Sequence, residues 1–189
     1  MARTVNQAER DARRAAILQA AIAVFARQGF EATLLADIAA GVGVRHPTIL
    51  NYFASKEALF VAAVLEPLDQ LGAVLRPAPG EALPASVARH VDVFMAQGPY
   101  LRLTQYVLAQ AERFPQLARA QRAFVEQLCD DLRPLIVAAT GCTLEAATWR
   151  FWGYFSQLVG MALVMDDTPA VRAAMTERAC VMLGAAPGA

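Results

Sequence analysis

The sequence predicts an all-α fold: three N-terminal helices containing a helix-turn-helix, a fourth helix leading out of them, and a larger helical domain behind. Three observations carry this. Apolar residues recur at three- and four-residue intervals along most of the chain, and no alternating run of β-branched residues is long enough for a strand. Proline and glycine punctuate the pattern at intervals of helix length. The apolar share of the 189 residues is 57%, above the usual level of about 45–50%. That is enough for a sizeable core, with apolar surface left for a partner subunit or an apolar ligand.

The first helix is expected from near Glu9 or Asp11, with Ile17, Leu18, Ala21, Ile22 and Phe25 as its apolar stripe. Gly29 followed by Phe30 has the form of a left-handed C-terminal cap with its hydrophobic contact. Thr33 is a candidate N-cap for a second helix, Leu34 to Ala40. Gly41 and Gly43 then read as a turn, because glycine inside a helix costs about 1 kcal/mol relative to alanine. A third helix is expected from His46 to Tyr52, and Ser55 caps a fourth through Leu59, Ala62, Ala63 and Leu65.

Beyond the loop Arg76–Glu81, the breaks at Gly98-Pro99, Phe114-Pro115, Thr140-Gly141 and Asp166–Pro169 divide the rest into about five helices. Pro67 and Pro134 fall inside helical patterns, where each is expected to kink or restart a helix. The ends, Met1–Ala8 and Ala185–Ala189, are expected to be disordered.

Formal charge is zero, with 17 basic and 17 acidic residues, which argues against coating nucleic acid or membrane by bulk charge. Residues 1–60 nevertheless carry seven basic side chains against five acidic ones, so this end is the more anion-facing. Cys129, Cys142 and Cys180 have no CxxC spacing and only His46 and His90 for company. They read as free thiols of a reducing cytosol rather than metal ligands. Met1–Arg14 has no signal-peptide pattern, and the most apolar run, Phe151–Met165, falls short of the roughly 20 residues a membrane span needs. A cytoplasmic protein with no membrane partner and no cofactor is expected.

In a helix-turn-helix, the first helix needs a small residue where the second crosses it, and the turn needs a residue tolerant of positive φ. Ala39 and Gly43 supply the two. Ile38, Val44 and Ile49 are spaced to fill the wedge between the helices, leaving Arg45, His46, Thr48, Asn51 and Tyr52 outside. That set offers a charge for guanine or phosphate, hydrogen-bonding groups for base edges and a phenol for a phosphate oxygen, with no carboxylate. Pro47 suits a helix start, where its missing N–H costs nothing. Thr33 as a cap would aim backbone N–H groups at a phosphate, and Lys56, the chain's only lysine, is placed to reach the same backbone.

The stretch Ala15–Ala63 shows AA…F…GF in the first helix, T…IA…GV through the turn, then T-I, YF and SKEAL. In that order and spacing it resembles the N-terminal domain of the TetR family of transcriptional regulators. Arg45 stands where the family commonly has a capping serine, and Leu50 where a phosphate-binding tyrosine is frequent. The resemblance implies a DNA-binding domain over residues 1–60 and a helical effector-binding and dimerisation domain over 61–189. It also implies a homodimer on a palindromic DNA operator, most often as a repressor, released by a small apolar or aromatic effector.

The C-terminal residues are compatible with both roles. Phe94, Tyr106, Gln110, Phe124 and Phe155 are the effector candidates, Gln110 because a polar amide inside an apolar stripe needs a partner. Trp149, Gly153 and Gly160 are the dimer candidates, since Ala146, Gly153 and Gly160 recur every seven residues beside a cluster of aromatics. The fourth helix, bent at Pro67, is the expected carrier of the effector signal. An enzyme is disfavoured: no nucleophile–base pair, phosphate loop or metal cluster stands out, and Asp130-Asp131 reads as solvated charge. The alternative is a helical dimeric regulator whose N-terminal domain binds protein rather than DNA.

Overall fold

In the computed structural model, residues 2–185 are described, with side chains from residue 7 onward. Nine α-helices and no strand occur among them: α1 (Ala2–Ala32), α2 (Leu35–Gly41), α3 (His46–Leu50), α4 (Lys56–Leu75), α5 (Leu83–Ala96), α6 (Gly98–Ala109), α7 (Pro115–Thr140), α8 (Leu144–Val164) and α9 (Pro169–Leu183). They form two compact units. One runs through Pro67 and takes in Arg102–Ala118; the other comprises Leu68–Leu101 and the residues from Arg119 onward. This differs from a division at residue 60, since the N-terminal unit also claims most of α6. α4, α6 and α7 each contribute residues to both units, and α4 changes unit at Pro67.

α1 begins earlier than the apolar stripe alone suggests. No glycine or proline interrupts Ala2–Ala8, so these residues are helical rather than disordered, and the Gln7 amide donates to Asp11 at 2.8 Å. At the other end Ala185 is buried and its N–H donates to the Cys180 carbonyl at 2.9 Å. The expected disorder of Met1 and residues 186–189 lies outside the described residues. The predicted stripe is the core of the first unit: Ile17, Ala21 and Phe25 are wholly buried, with Leu18 and Ile22 nearly so.

Gly29 breaks α1 with φ 73° and ψ 175°, a backbone region that side chains strongly disfavour. The absent side chain matters as much as the dihedral. A Cβ there would stand 2.9 Å from Cε2 of Tyr106, so the ring lies directly on the glycine. The Tyr106 hydroxyl accepts the Phe30 N–H at 3.1 Å. Phe30, Phe60 and Phe114 close around this point with ring centroids 4.9–5.7 Å apart, and Arg113 pairs with Glu31.

α2 starts one residue later than expected, because Thr33 is not its cap. The Thr33 hydroxyl donates backwards to the Gly29 carbonyl at 2.6 Å and the residue is wholly buried. Leu34 is the capping position, and its N–H is taken by the Asp37 carboxylate at 3.2 Å. Gly41 closes α2 as its last helical residue, against the expectation that it lies in the turn. Gly43 alone carries the positive φ, 63°. Ile38 and Ile49 are wholly buried and Ala39 nearly so, as the helix-turn-helix pattern requires. α3 ends at Leu50, and Asn51 and Tyr52 continue as turn residues with N–H bonds back to Thr48 and Ile49.

Ser55 caps α4 as expected, accepting the Ala58 N–H at 3.1 Å. The helix continues through Pro67, as α7 does through Pro134. By length and composition α4, rather than Phe151–Met165, is the helix that passes for a membrane span. It nonetheless carries Lys56, Glu57, Glu66 and Asp69 and buries Leu59, Phe60 and Ala63, which is the pattern of a core helix.

The second unit packs α5, α8 and α9 around Val87, Val91, Leu132, Ile136, Phe151 and Leu183. Thr143 and Thr168 cap α8 and α9, each accepting an N–H three residues on at 3.2 Å. The C-terminus of α4 is held from α5: His90 Nε2 lies 3.0 Å from the Leu75 carbonyl, and Arg89 donates to the carbonyls of Leu75 and Arg76 while pairing with Glu81. Burial pushes the His90 imidazole down to about 4, against the ordinary 6.5. The three cysteines are free, Cys129 and Cys180 buried, and burial raises both of those thiols.

Candidate nucleic-acid interface

The face of the helix-turn-helix is built by subtraction. Ile49 turns inward, so Arg45, His46, Pro47, Leu50 and Asn51 are left exposed, with Thr48 and Tyr52 half-buried. No aspartate or glutamate occurs between Ile38 and Lys56. Phe53 is core, as its neighbours demand, 5% exposed beneath the Arg14 guanidinium at 4.8 Å. Arg14 is itself held by both carboxylate oxygens of Glu66, at 2.8 and 2.5 Å, which holds that carboxyl below its usual range.

One cation joins this face from α1. The Arg10 guanidinium stands 5.9 Å from the centre of the Tyr52 ring, and the residue is exposed. Sequence spacing concealed it, because 42 residues separate the two; the arginine-rich start of α1 was the available signal.

Two residues predicted for this face are otherwise engaged. Thr33 has its hydroxyl buried against Gly29. Lys56 directs its ammonium at the end of α1, donating to the carbonyls of Phe30 at 2.9 Å, Thr33 at 3.1 Å and Glu31 at 3.3 Å, and lying 4.5 Å from the centre of the Phe30 ring. An ammonium has three hydrogens. All three serve the turn between α1 and α2.

The five effector candidates are divided between the two units. Phe94 and Phe155 meet at right angles, 5.7 Å between centroids, and Phe155 stacks on Phe151. Phe124 is half-buried in the same unit, with its ring 3.8 Å from where a Cβ on Gly72 would lie. Tyr106 belongs to the N-terminal unit and is occupied at Gly29. Gln110 is exposed in the turn after α6, so it sits on no apolar stripe. Among the described residues the buried amide is Gln121: it is 4% exposed and neither its oxygen nor its nitrogen has a hydrogen-bond partner there.

The Tyr154 hydroxyl is likewise buried without a hydrogen-bond partner among the described residues, and burial raises its pKa. Tyr154 lines a cavity of about 10 Å³ with Gln157, Leu158, Met161, Met175 and Ala179, about the size of one water.

The dimer candidates lie on an exposed face of α8. Trp149 is 71% exposed; Gly153 and Gly160 are exposed, with open space beside Gly160 and the Met182 methyl 3.7 Å from a Cβ built on Gly153. Trp152, Val181 and Met182 add further exposed apolar surface on α8 and α9, whereas Phe151 and Tyr154 of the same helix as Trp152 are core. Among the described residues no three histidine, cysteine or acidic side chains are placed to hold a metal. Asp130 pairs with Arg133, and Asp131 accepts from Gln127 and lies 3.7 Å from the Arg76 guanidinium.

Residues 17–63, which run from α1 through this helix-turn-helix into α4, match the profile of the bacterial regulatory proteins of the tetR family. The chain is 31% identical over 159 residues to the HTH-type transcriptional repressor Rv3405c of Mycobacterium tuberculosis, covering 81% of this chain and 78% of that one. The chain belongs to the TetR family. The fold agrees: a TetR-family regulator of Mesorhizobium loti superposes with a TM-score of 0.68 at 24% identity, over 92% of this chain and 94% of that one. FadR of Bacillus subtilis, solved in complex with stearoyl-CoA, superposes with a TM-score of 0.59 at 17% identity, over 89% and 96% of the two chains. The protein is therefore a helix-turn-helix, DNA-binding transcriptional regulator, and its relatives are regulators rather than enzymes. Its departures from the common TetR pattern, Arg45 and Leu50, both fall on the exposed face.

Proposed function

We propose that this regulator represses transcription by binding a palindromic operator as a homodimer and is released by a small apolar or aromatic effector. The observation that carries the reading is the carboxylate-free face of Arg45, His46, Thr48, Asn51 and Tyr52 on and after α3, extended by Arg10 from α1. Arg45 has the geometry-matched donors for guanine or for a phosphate, Asn51 and His46 have hydrogen-bonding groups for base edges, and Tyr52 and Arg10 serve backbone phosphates. Pro47 opens the helix that presents them. Lys56 and Thr33 act one step back, by fixing the turn from which α2 departs.

A five-residue recognition helix reads few base pairs, so two copies are needed for useful specificity. The exposed apolar surface around Trp149, Trp152, Gly153 and Gly160 supports a subunit contact on α8, because soluble monomers rarely leave such a patch uncovered. The effector reading rests on Phe94, Phe124 and Phe155 in the C-terminal unit, on the unpaired amide of Gln121, and by analogy on the stearoyl-CoA bound by FadR. A DNA partner supports a cytoplasmic location.

Selection of bound DNA from a random pool tests the reading, followed by the solution mass of the complex. The expected result is an inverted repeat bound by two copies. Recovery of unrelated sequences, or a monomer on specific DNA, refutes it.

A further inference from the structure

The exposed face around α3 contains one large side chain with no polar group to offer. Leu50, the last residue of α3, is 43% exposed, while its neighbour Ile49 is wholly buried and, with Ile38, already fills the wedge between α2 and α3. The fold does not use Leu50 as core. Pro47 stands one turn back on the same helix, also exposed, and residues three apart on a helix adjoin, so the two present a joint apolar patch. Around it lie Arg45, His46 and Asn51, with no acidic side chain from Ile38 to Lys56.

A single exposed leucine elsewhere needs no function. This one sits inside a surface whose charge and donors suit an anionic polymer, so its partner must be an apolar group carried by that polymer. The major-groove edges of the bases offer acceptors at N7, O6 and O4, amino donors, and one apolar group, the 5-methyl of thymine. A phosphate contact is excluded, because leucine has no donor. We infer that Leu50, with Pro47 beside it, is a specificity-determining residue that packs against a thymine methyl in each half-site. The inference rests on the DNA reading of this face given above.

The test uses an operator selected from a random pool by the full-length protein. Each thymine is replaced in turn, in both half-sites, by deoxyuridine, which keeps every hydrogen-bonding group and removes only the methyl. The wild-type protein should lose about fourfold in affinity at one symmetric thymine when one half-site is changed, and about fifteenfold when both are, as expected for removal of a buried methyl. Leu50→Ala should bind the thymine operator more weakly and no longer distinguish thymine from deoxyuridine at that position. Val61→Ala, which trims another exposed apolar residue of the same unit on α4, should discriminate as the wild type does. A selected operator indifferent to methyl removal at every position, or a Leu50→Ala variant with undiminished discrimination, overturns the inference alone. Failure of the wild type to select any sequence overturns the DNA reading and this inference with it.

Discussion

Lys56→Met separates two uses of the chain's only lysine. The ammonium donates to three carbonyls at the α1–α2 turn, two of the bonds part-buried and the one to Glu31 exposed, and lies 4.5 Å from the Phe30 ring centre. Water can replace the exposed bond, so the loss comes from the other two and the ring. A hydrogen bond from a charged donor contributes roughly 1.5–3 kcal/mol and an exposed cation–π contact about 0.5–1 kcal/mol. The bonds share one ammonium and do not add, so a loss of about 3 kcal/mol is expected. Methionine keeps the aliphatic stem and removes the charge.

In urea denaturation the midpoint should fall with the slope unchanged. On operator DNA, the dependence of log affinity on log salt should change by well under the value of about 0.9 per half-site that removal of one phosphate-bound cation gives. A variant within about 0.5 kcal/mol of wild-type stability whose salt slope falls by about 0.9 per half-site would return Lys56 to the DNA backbone and refute the clamp.

Three further outcomes follow from the geometry. Gly29→Ala forces a side chain into φ 73° and against Tyr106; a loss of about 2 kcal/mol or more is expected by chemical denaturation, and unchanged stability would contradict the tight approach. His90 is held neutral down to about 4, so the unfolded chain takes up its proton first as pH falls. Wild-type stability should therefore drop between about pH 6.5 and pH 4 by up to about 3 kcal/mol more than that of His90→Gln, and parallel pH profiles would refute it. Gly160→Leu adds bulk where the structure leaves open space within the subunit, so monomer stability should hold while sedimentation shows weaker dimerisation and DNA binding falls with it; a fully dimeric, DNA-binding variant would clear α8 of the interface.

The helix-turn-helix was legible because its constraints are local: Ile38, Ala39, Gly43 and Ile49 fall within twelve residues, and each has one physical role there. The apolar stripe of α1 was legible for the same reason. What the sequence left hidden depends on distant partners. Lys56 beside a DNA-facing segment reads alike whether its target is a phosphate or three carbonyls of Phe30, Glu31 and Thr33, and only the fold returns it to the end of α1.

Gln110 looked like a member of one stripe with Leu103, Val107 and Phe114 because the helical period was carried past Ala109, where α6 ends. The stripe breaks there, Gln110 turns to solvent, and Tyr106 packs on Gly29, 77 residues earlier. Gln121 escaped notice because a glutamine flanked by alanine and arginine gives no sign of burial. The fourth helix looked like the single connection between domains until α6 and α7 proved to contribute residues to both units.

The central claim is that the face around α3 reads DNA sequence. The most direct measurement compares the affinity of the full-length protein for its selected operator with that for random DNA of equal length at one fixed salt concentration, alongside Arg45→Ala. A preference for the operator of at least about a thousandfold is expected, reduced in the variant by roughly 1–3 kcal/mol for each base that Arg45 no longer reads. Equal affinity for operator and random DNA, or an Arg45→Ala protein with undiminished preference, affinity and salt dependence, would contradict it.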